Sequence, residues 1–570
     1  MARTVTSTVR VVDVLRPVLR DDPRVDVVFA YDPTSAFNDG VYDLLRALGA
    51  RVMPWDQLPH AKPDLIVTAT ENADLTDRGG DAPVLVLPHG VGFHKVVPDS
   101  RGPFDRLAGV VPDALLHSGR AWLAISHPDQ ADQLRAAHPA AAGRTVLVGD
   151  PCYDALLEGR KLRARYRAAL GVPDGRRLVM LSSTWREQSV IGGDASLPAR
   201  LLAELPRDEY AVALVTHPNV IAAHGLLQLE NVLGSALSSG LLRIPPDAGW
   251  QATLLACDLL IGDHGSVSFY GAALGTPLLL GAFGEHEVVP GTPMRELGRL
   301  APHLDPYAPL RPQLERALDR HDADRFRKLG ERALAVPGQA LGRLRETVYD
   351  LLELPAPTSP SVRRLAPADP RPAAVDAVDA VDAENRASVI LTRTDGEPGA
   401  ERVSVERYPA AVGHLIDEPV DALSAFRHLS SPDDAHAQET AESASVLVRS
   451  AQARTAVEAA RWIGDTLARY SGALLAATTV AGGGCRVGLV DGRTVEVSAT
   501  GPVTDPEVLA AVVYACLRAG IDVTPSPWTC LTLVFAGREE DVVVRPLPTH
   551  STPDQSLRRT SSARGLPPSS

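Results

Sequence analysis

Two series of short apolar runs, spaced by helix-like stretches, constrain this chain more than any other feature. The first series reads VDVVFAY (25–31), DLIVTAT (64–70), PVLVLPHG (83–90), WLAISH (122–127) and TVLVGD (145–150). The second reads RLVMLSST (177–184), YAVALVTHP (210–218), LLRIP (241–245), DLLIG (258–262) and PLLLGAF (277–283). Runs this continuous carry apolar side chains on both faces, so each strand must be covered from both sides. Parallel sheets joined by crossover helices supply that cover. The expected fold class is therefore α/β: a pair of Rossmann-like lobes with parallel sheets, their site in the cleft at the strands' carboxyl ends.

At 570 residues the chain has room for about three domains at roughly 150–200 residues each. The expected division is an N-terminal Rossmann-like lobe over 1–165 and a C-terminal Rossmann-like lobe over 166–354. The opening, MARTVTSTVRVVDVLRPVL, reads as a turn and a helix with no apolar strand ahead of it. Either the true start lies upstream or this lobe lacks its first strand; the first reading is favoured. Residues 355–385, rich in Pro and Ala with a short VDA repeat, are expected to be a disordered linker. Residues 386–548 are expected to form a small α+β domain of unknown role. It would open with two strands around Asp395-Gly396 and run through helices to about 475. A hairpin turning at Asp491-Gly492, a helix near 505–519 and two closing strands would complete it. Residues 549–570 read as a disordered tail.

Charge and cysteine usage exclude several partner classes. The net charge is −13 and no Lys/Arg cluster resembles a nucleic-acid footprint, so DNA and RNA are discounted. Basic residues are nearly all Arg, the bias of a GC-rich bacterial genome; the lysines are Lys62, Lys95, Lys161 and Lys328. Five cysteines without a CxxC pair suggest neither a disulfide framework nor a zinc site, and point to a cytoplasmic location. No window approaches 18 uninterrupted apolar residues, so no transmembrane segment is expected. Peripheral membrane contact stays open, although the N-terminal helix mixes Arg with Asp rather than forming a basic amphipathic face.

Five segments stand at predicted strand ends. LPHGVGFHK offers His89 as a general base at neutral pH and Lys95 as a phosphate counter-charge. Read alone, His89 is better explained as capping its strand through a backbone hydrogen bond. VGDPCYD, with Asp150 and Asp154, reads as a strand-to-turn exit. LSSTWREQ offers Ser183, Thr184 and Arg186; the Arg fork suits phosphate oxygens, while a plain helix N-cap is the competing reading. VTHPN places His217 before Pro218, which holds it extended at the cleft. The fifth segment, LLIGDHGSVSFYGAALGTP, ends a strand in Asp263, His264, Gly265 and Ser266 and then starts a helix of small residues. The free N–H groups and dipole of such a helix start favour an anion.

In that order, PHGVGFHK, GDPCYD, STWRE, THPN and ACDLLIGDHGSVSFYGAALGTPLLL resemble the motif set of the CDP-glycerol glycerophosphotransferase family, the teichoic-acid polymerases. The resemblance implies a GT-B fold and direct transfer from a nucleotide-activated donor. It implies that His89 deprotonates the acceptor hydroxyl and that His217 and Arg186 lie near the donor phosphates. Asp263 and Ser266 match the family's Asp-Tyr-Ser-Ser turn. Three positions depart from the pattern: Pro88 stands for a Trp, His264-Gly265 for Tyr-Ser, and Tyr270 for an Asp. They surround the donor pocket, so a nucleotide-sugar or another CDP-alcohol would fit as well as CDP-glycerol.

The same stretch is similar to the turn of UDP-N-acetylglucosamine 2-epimerases, but Phe269-Tyr270 replaces the acidic pair that chemistry needs. Glu285 and Glu287 stand where GT-B enzymes often contact the donor ribose. The expected donor-binding set is thus Ser183, Thr184, Arg186, Asp263, His264, Gly265, Ser266 and Glu285, with His89 and His217 catalytic and Lys95 for acceptor or phosphate. The expected partners are a nucleotide-activated donor and a hydroxyl acceptor such as a cell-envelope polymer. No metal or cofactor is called for. The alternative function is a non-catalytic nucleotide- or phosphate-sensing protein whose C-terminal domain contacts a partner.

Overall fold

The computed structural model describes residues 1–72, 75–98, 105–245, 249–357, 366–373, 387–396, 401–416, 424–433, 438–482, 484–523 and 528–548. It divides into one unit of residues 1–383 with 414–416 and a second unit formed by the remainder.

In the first unit the strands form where the apolar runs lie. The C-terminal lobe holds five parallel strands in the order Leu242–Ile244, Tyr210–Thr216, Arg177–Ser183, Leu259–Gly262, Leu278–Leu280. Arg177–Ser183 is central: Val179 pairs with Val212 on one side and Leu259 on the other, and every residue after Arg177 is buried. Such burial on both faces is why the run carries no polar alternation. The helix Ser266–Leu274 packs tightly because its residues are small; a Cβ on Gly271 would lie 2.6 Å from Leu260 Cδ2. It ends at Gly275, whose φ of +79° is a left-handed cap that favours glycine.

The N-terminal lobe carries its parallel strands in two sheets. Four parallel strands (Ile66–Thr68, Val84–Val86, Ala121–Ile125, Thr145–Leu147) form one sheet, and Val28–Tyr31 with Arg51–Pro54 forms another. Met1 and Ala2 stand between them. Ala2 donates to the Ala30 carbonyl and accepts from Asp32 N–H, both at 2.9 Å, while the Met1 ammonium donates to the Val67 carbonyl at 2.9 Å. Ala2 thus bridges to Tyr31, and the helix Val5–Val18 follows, capped by Thr4 and Ser7. Its buried stripe of Val11, Val14 and Val18 joins the core under the sheet.

Part of the segment read as a disordered linker is laid against the C-terminal lobe. The Tyr166 hydroxyl donates to the Pro367 carbonyl at 2.7 Å, Arg165 grips the Asp369 carboxylate through two bonds of 2.7 and 2.6 Å, and Ala373 N–H reaches the Arg243 carbonyl at 2.8 Å. Composition alone hides such anchors, because the partners lie more than 100 residues away. The rest of the linker (358–365 and 374–385) and the tail 549–570 lie outside the described residues.

The second unit corrects the expected small α+β domain. Its strands close into a nine-stranded barrel around the helix Pro506–Arg518, in which Glu507–Cys516 are all buried. That helix packs against strands from Ser388–Asp395 round to Thr494–Ala499. Closure leaves no free sheet edge. The hairpins at Asp395-Gly396 and Asp491-Gly492 form between Ser388–Asp395 and Arg402–Pro409, and between Cys485–Leu489 and Thr494–Ala499. The stretch expected to be helical to about 475 also contains the strands Ala425–Pro432 and Val446–Val448. The first reads poorly as a strand because it buries polar His428, Ser430 and Ser431 alongside Ala425 and Phe426.

Candidate functional site

A cavity of about 750 Å³ lies between the two lobes of the first unit, at the carboxyl ends of their strands. His89, Lys95, Ser183, Thr184, His217, Gly265 and Ser266 all line it, together with one face of the N-terminal helix. Four separate strand ends therefore converge, as the crevice rule for open α/β sheets requires.

His89 is exposed to this cavity. Its Nδ1 lies 3.2 Å from the Ala69 carbonyl. A carbonyl only accepts, so Nδ1 carries the proton and the neutral ring presents Nε2 as a base. Behind it stands Glu71, buried and bonded to Arg106 at 3.3 Å. Burial opposes the charge on Glu71, but His89 and Arg106 outweigh it and hold the carboxyl below its usual range. Glu71 escaped the sequence reading although it follows a strand end (DLIVTATEN) like the other candidates. It is the negative group that an imidazolium at His89 would need.

His217 has the opposite tautomer. Its Nδ1 accepts from Asn219 N–H at 3.1 Å, so the neutral ring is protonated at Nε2 and donates there. Burial, and then the Lys95 and His89 charges, push its pKa down to about 3. His217 is thus a neutral hydrogen-bond donor rather than a second base. Lys95 is half-buried, and its ammonium has no hydrogen bond or ion pair among the described residues. Burial lowers its pKa, while Asp263 and Glu287 counteract that loss. A desolvated cation of this kind is a ready partner for a phosphate.

The 262–266 turn divides its labour. Asp263 is 1% exposed and fully occupied: Oδ2 accepts from Thr184 N–H (2.7 Å), Thr184 Oγ1 (2.8 Å) and Val190 N–H (3.3 Å), and Oδ1 from Gly265 N–H (2.9 Å). Burial raises its pKa, with Lys95 and these donors pulling the other way. Asp263 shapes the turn and does not line the cavity. Gly265 is needed there, since a Cβ would lie 2.6 Å from Thr184 Cγ2. Because Gly265 caps the helix without a side chain, the first-turn N–H groups stay open to a ligand. Ser266 Oγ accepts Val91 N–H from the opposite lobe at 3.1 Å, and a Cβ on Gly90 would lie 2.4 Å from that oxygen.

Three expected donor-binding residues stand elsewhere. His264 is buried beyond the cavity wall, accepting Gly284 N–H (3.2 Å) and donating from Nε2 to Glu287 (3.0 Å); burial takes its pKa down to about 3. Glu285 is exposed and paired with Arg295. Arg186, at φ +76°, projects at the rim with its guanidinium 4.1 Å from the Trp185 ring centroid. The hydroxyls of Ser183 and Thr184 are spent on Ile191 N–H and Asp263, so these residues offer mainly backbone to the cavity. Tyr270, standing where the resemblance expects an Asp, donates to Asp150 Oδ2 at 2.7 Å.

Residues 57–283 match the model of the CDP-Glycerol:Poly(glycerophosphate) glycerophosphotransferase family. This segment is similar to that family. It contains every candidate but Glu285. Among solved structures, the wall teichoic acid polymerase TagF is 15% identical over 60% of this chain and 85% of that one, with a TM-score of 0.42. The UDP-GlcNAc 2-epimerase from Neisseria meningitidis, bound to UDP-GlcNAc, is 11% identical over 60% and 97%, at 0.37. MnaA of S. aureus, with UDP, is 12% identical over 63% and 99%, at 0.39. A comparison with curated proteins gave no match. Among the described residues no group of three or more His, Cys, Asp or Glu could hold a metal ion, and no helix is long and apolar enough to cross a membrane.

Proposed function

We propose that the chain is a transferase that moves the phosphoalcohol of a nucleotide-activated donor to a hydroxyl acceptor, with CDP-glycerol the donor the matching family points to. The observation that carries this reading is the pairing of opposite histidine tautomers in one cavity. His89 offers a lone pair, His217 offers an N–H, and unpartnered Lys95 is within Coulombic reach of His217.

In this reading Nε2 of His89 takes the acceptor hydroxyl's proton as the oxygen attacks the donor's β-phosphorus. The bond from that phosphorus to the bridging oxygen breaks, and CMP leaves with the electron pair. Lys95, His217 Nε2–H, the Ser266 hydroxyl and the first N–H groups of the Ser266–Leu274 helix stabilise the charge that develops on the phosphates. Glu71 stabilises the imidazolium. Asp263 and Thr184 hold the phosphate turn without touching the reacting atoms. Arg186 at the rim is left to meet the outer part of the donor or acceptor.

Calorimetric titration and turnover of two variants separate these roles. His89→Gln should bind CDP and CDP-glycerol within about twofold of the parent while transfer falls by roughly 10²–10⁴, the range for a lost general base. His217→Ala should weaken nucleotide binding as well. Equal loss of nucleotide binding in both variants would place His89 on the donor and overturn the assignment. Nucleotide binding without turnover on any hydroxyl acceptor would favour a sensing role.

A further inference from the structure

The loop bearing His89 belongs to the N-terminal lobe, yet both of its ends are tied toward one helix of the other lobe. On one side of His89-Gly90, Val91 N–H donates to Ser266 Oγ at 3.1 Å. On the other, the Pro88 carbonyl accepts from Arg10 Nε at 2.9 Å. Arg10 Nη2 contacts Asp150 Oδ1 at 3.3 Å, and Asp150 Oδ2 accepts the Tyr270 hydroxyl at 2.7 Å. Ser266 and Tyr270 lie one turn apart on the helix Ser266–Leu274, which starts at the proposed phosphate site.

The chain Tyr270–Asp150–Arg10 is buried, at 1%, 3% and 8% exposure, with Tyr270 and Arg10 bordering the cavity. Asp150 is further fixed as an N-cap by Cys152 N–H (2.8 Å) and Tyr153 N–H (3.1 Å), so it has little freedom to re-pair. An ion pair this buried is held by geometry and leaves an uncompensated charge if a partner goes. The mechanism above uses none of these three groups, and Arg10 lies outside the segment matched by the family.

We infer that Tyr270 is a positioning residue: through Asp150 and Arg10 it fixes the Pro88–Val91 loop, so that the phosphate-binding helix and the His89 base move as one body. The inference rests on the reading of His89 as the base. A donor phosphate that orders the start of the helix would then also hold His89 in register, and the helix alone would couple donor occupancy to acceptor activation.

Tyr270→Phe removes one hydroxyl and keeps the ring stacked on Trp250, whose centroid lies 6.1 Å away. Hydrogen–deuterium exchange of the full chain should show the 86–93 peptide exchanging at least about tenfold faster in the variant. Peptides of the strand Leu259–Gly262 should be unchanged. Titration with CDP should give an affinity within about twofold of the parent, and kcat should fall about tenfold at constant KM for the donor. Asp150→Asn, which retains an N-cap, should speed the same peptide and serves if Tyr270→Phe does not fold. Exchange of 86–93 at the parent rate in both folded variants overturns the proposal, whatever turnover does. If exchange accelerates but His89→Gln retains full transfer, the coupling stands and it is the reading of His89 that fails.

Discussion

Asp263→Asn distinguishes a residue that builds the phosphate turn from one that touches the ligand. The carboxylate accepts four hydrogen bonds, three of them on Oδ2. An asparagine keeps most of them by placing its carbonyl on Thr184 and Val190, which turns its NH₂ against Gly265 N–H. The Gly265 N–H and the asparagine NH₂ then face each other unmet, at a cost of about 1–3 kcal/mol, and the three remaining bonds each weaken by about 1 kcal/mol on losing the charge. Relief from burying a carboxylate offsets part of this, leaving a net loss of about 2–4 kcal/mol. At about 2–4 °C per kcal/mol for a lobe of this size, the first unit should melt roughly 5–15 °C lower by scanning calorimetry. CDP binding at low temperature should persist, weakened by about tenfold or less as the turn loosens. A variant that melts within about 1 °C of the parent but binds no nucleotide would refute the reasoning and put Asp263 on the ligand.

Lys95→Met should weaken CDP binding about 10–100-fold and flatten its salt dependence without lowering the melting temperature, since the ammonium has no partner to lose; a large fall in stability would contradict this. Gly90→Ala drives a Cβ to 2.4 Å from Ser266 Oγ, so that hydroxyl must leave Val91 N–H or the lobes must part there; turnover should fall at least tenfold while circular dichroism is unchanged, and normal turnover would refute the contact. Buried His94 and His264 have pKa values lowered to about 3 by burial and by Lys95, against 6.5 when unfolded. The unfolded chain therefore binds more protons between those values. Their contribution is complete above about pH 6.5 and is lost as pH falls toward 3, by up to about 1.4 kcal/mol per pH unit for each histidine. Urea midpoints at pH 7.5, 6 and 5 should show the fall, and His94→Phe should reduce its slope.

The architecture of the first unit was legible because its strands are continuous apolar runs, and because His89, His217 and Ser266 each come within a few residues of a strand end. Position after a strand end says less about residues several steps on. Arg186 leaves through a left-handed backbone turn to the rim, and Glu285 sits on a short helical turn facing Arg295. Neither outcome has a local sequence signal. The Arg10–Asp150–Tyr270 chain joins residues 120 or more positions apart and could not be read from any window. The barrel was hidden for another reason: its strand Ala425–Pro432 buries His428 and two serines among its apolar residues, which breaks the alternating pattern, while the apolar helix it encloses reads like any core helix.

The central claim is that this cavity transfers a phosphoalcohol from a CDP-activated donor to a hydroxyl. Following ³¹P NMR of CDP-glycerol incubated with the full chain and a glycerol-phosphate acceptor tests it most directly. The account predicts that the diphosphate signals decay as CMP and a new phosphodiester appear in equal amounts, and that His89→Gln abolishes both. Saturating CDP-glycerol that stays intact with every hydroxyl acceptor would contradict it.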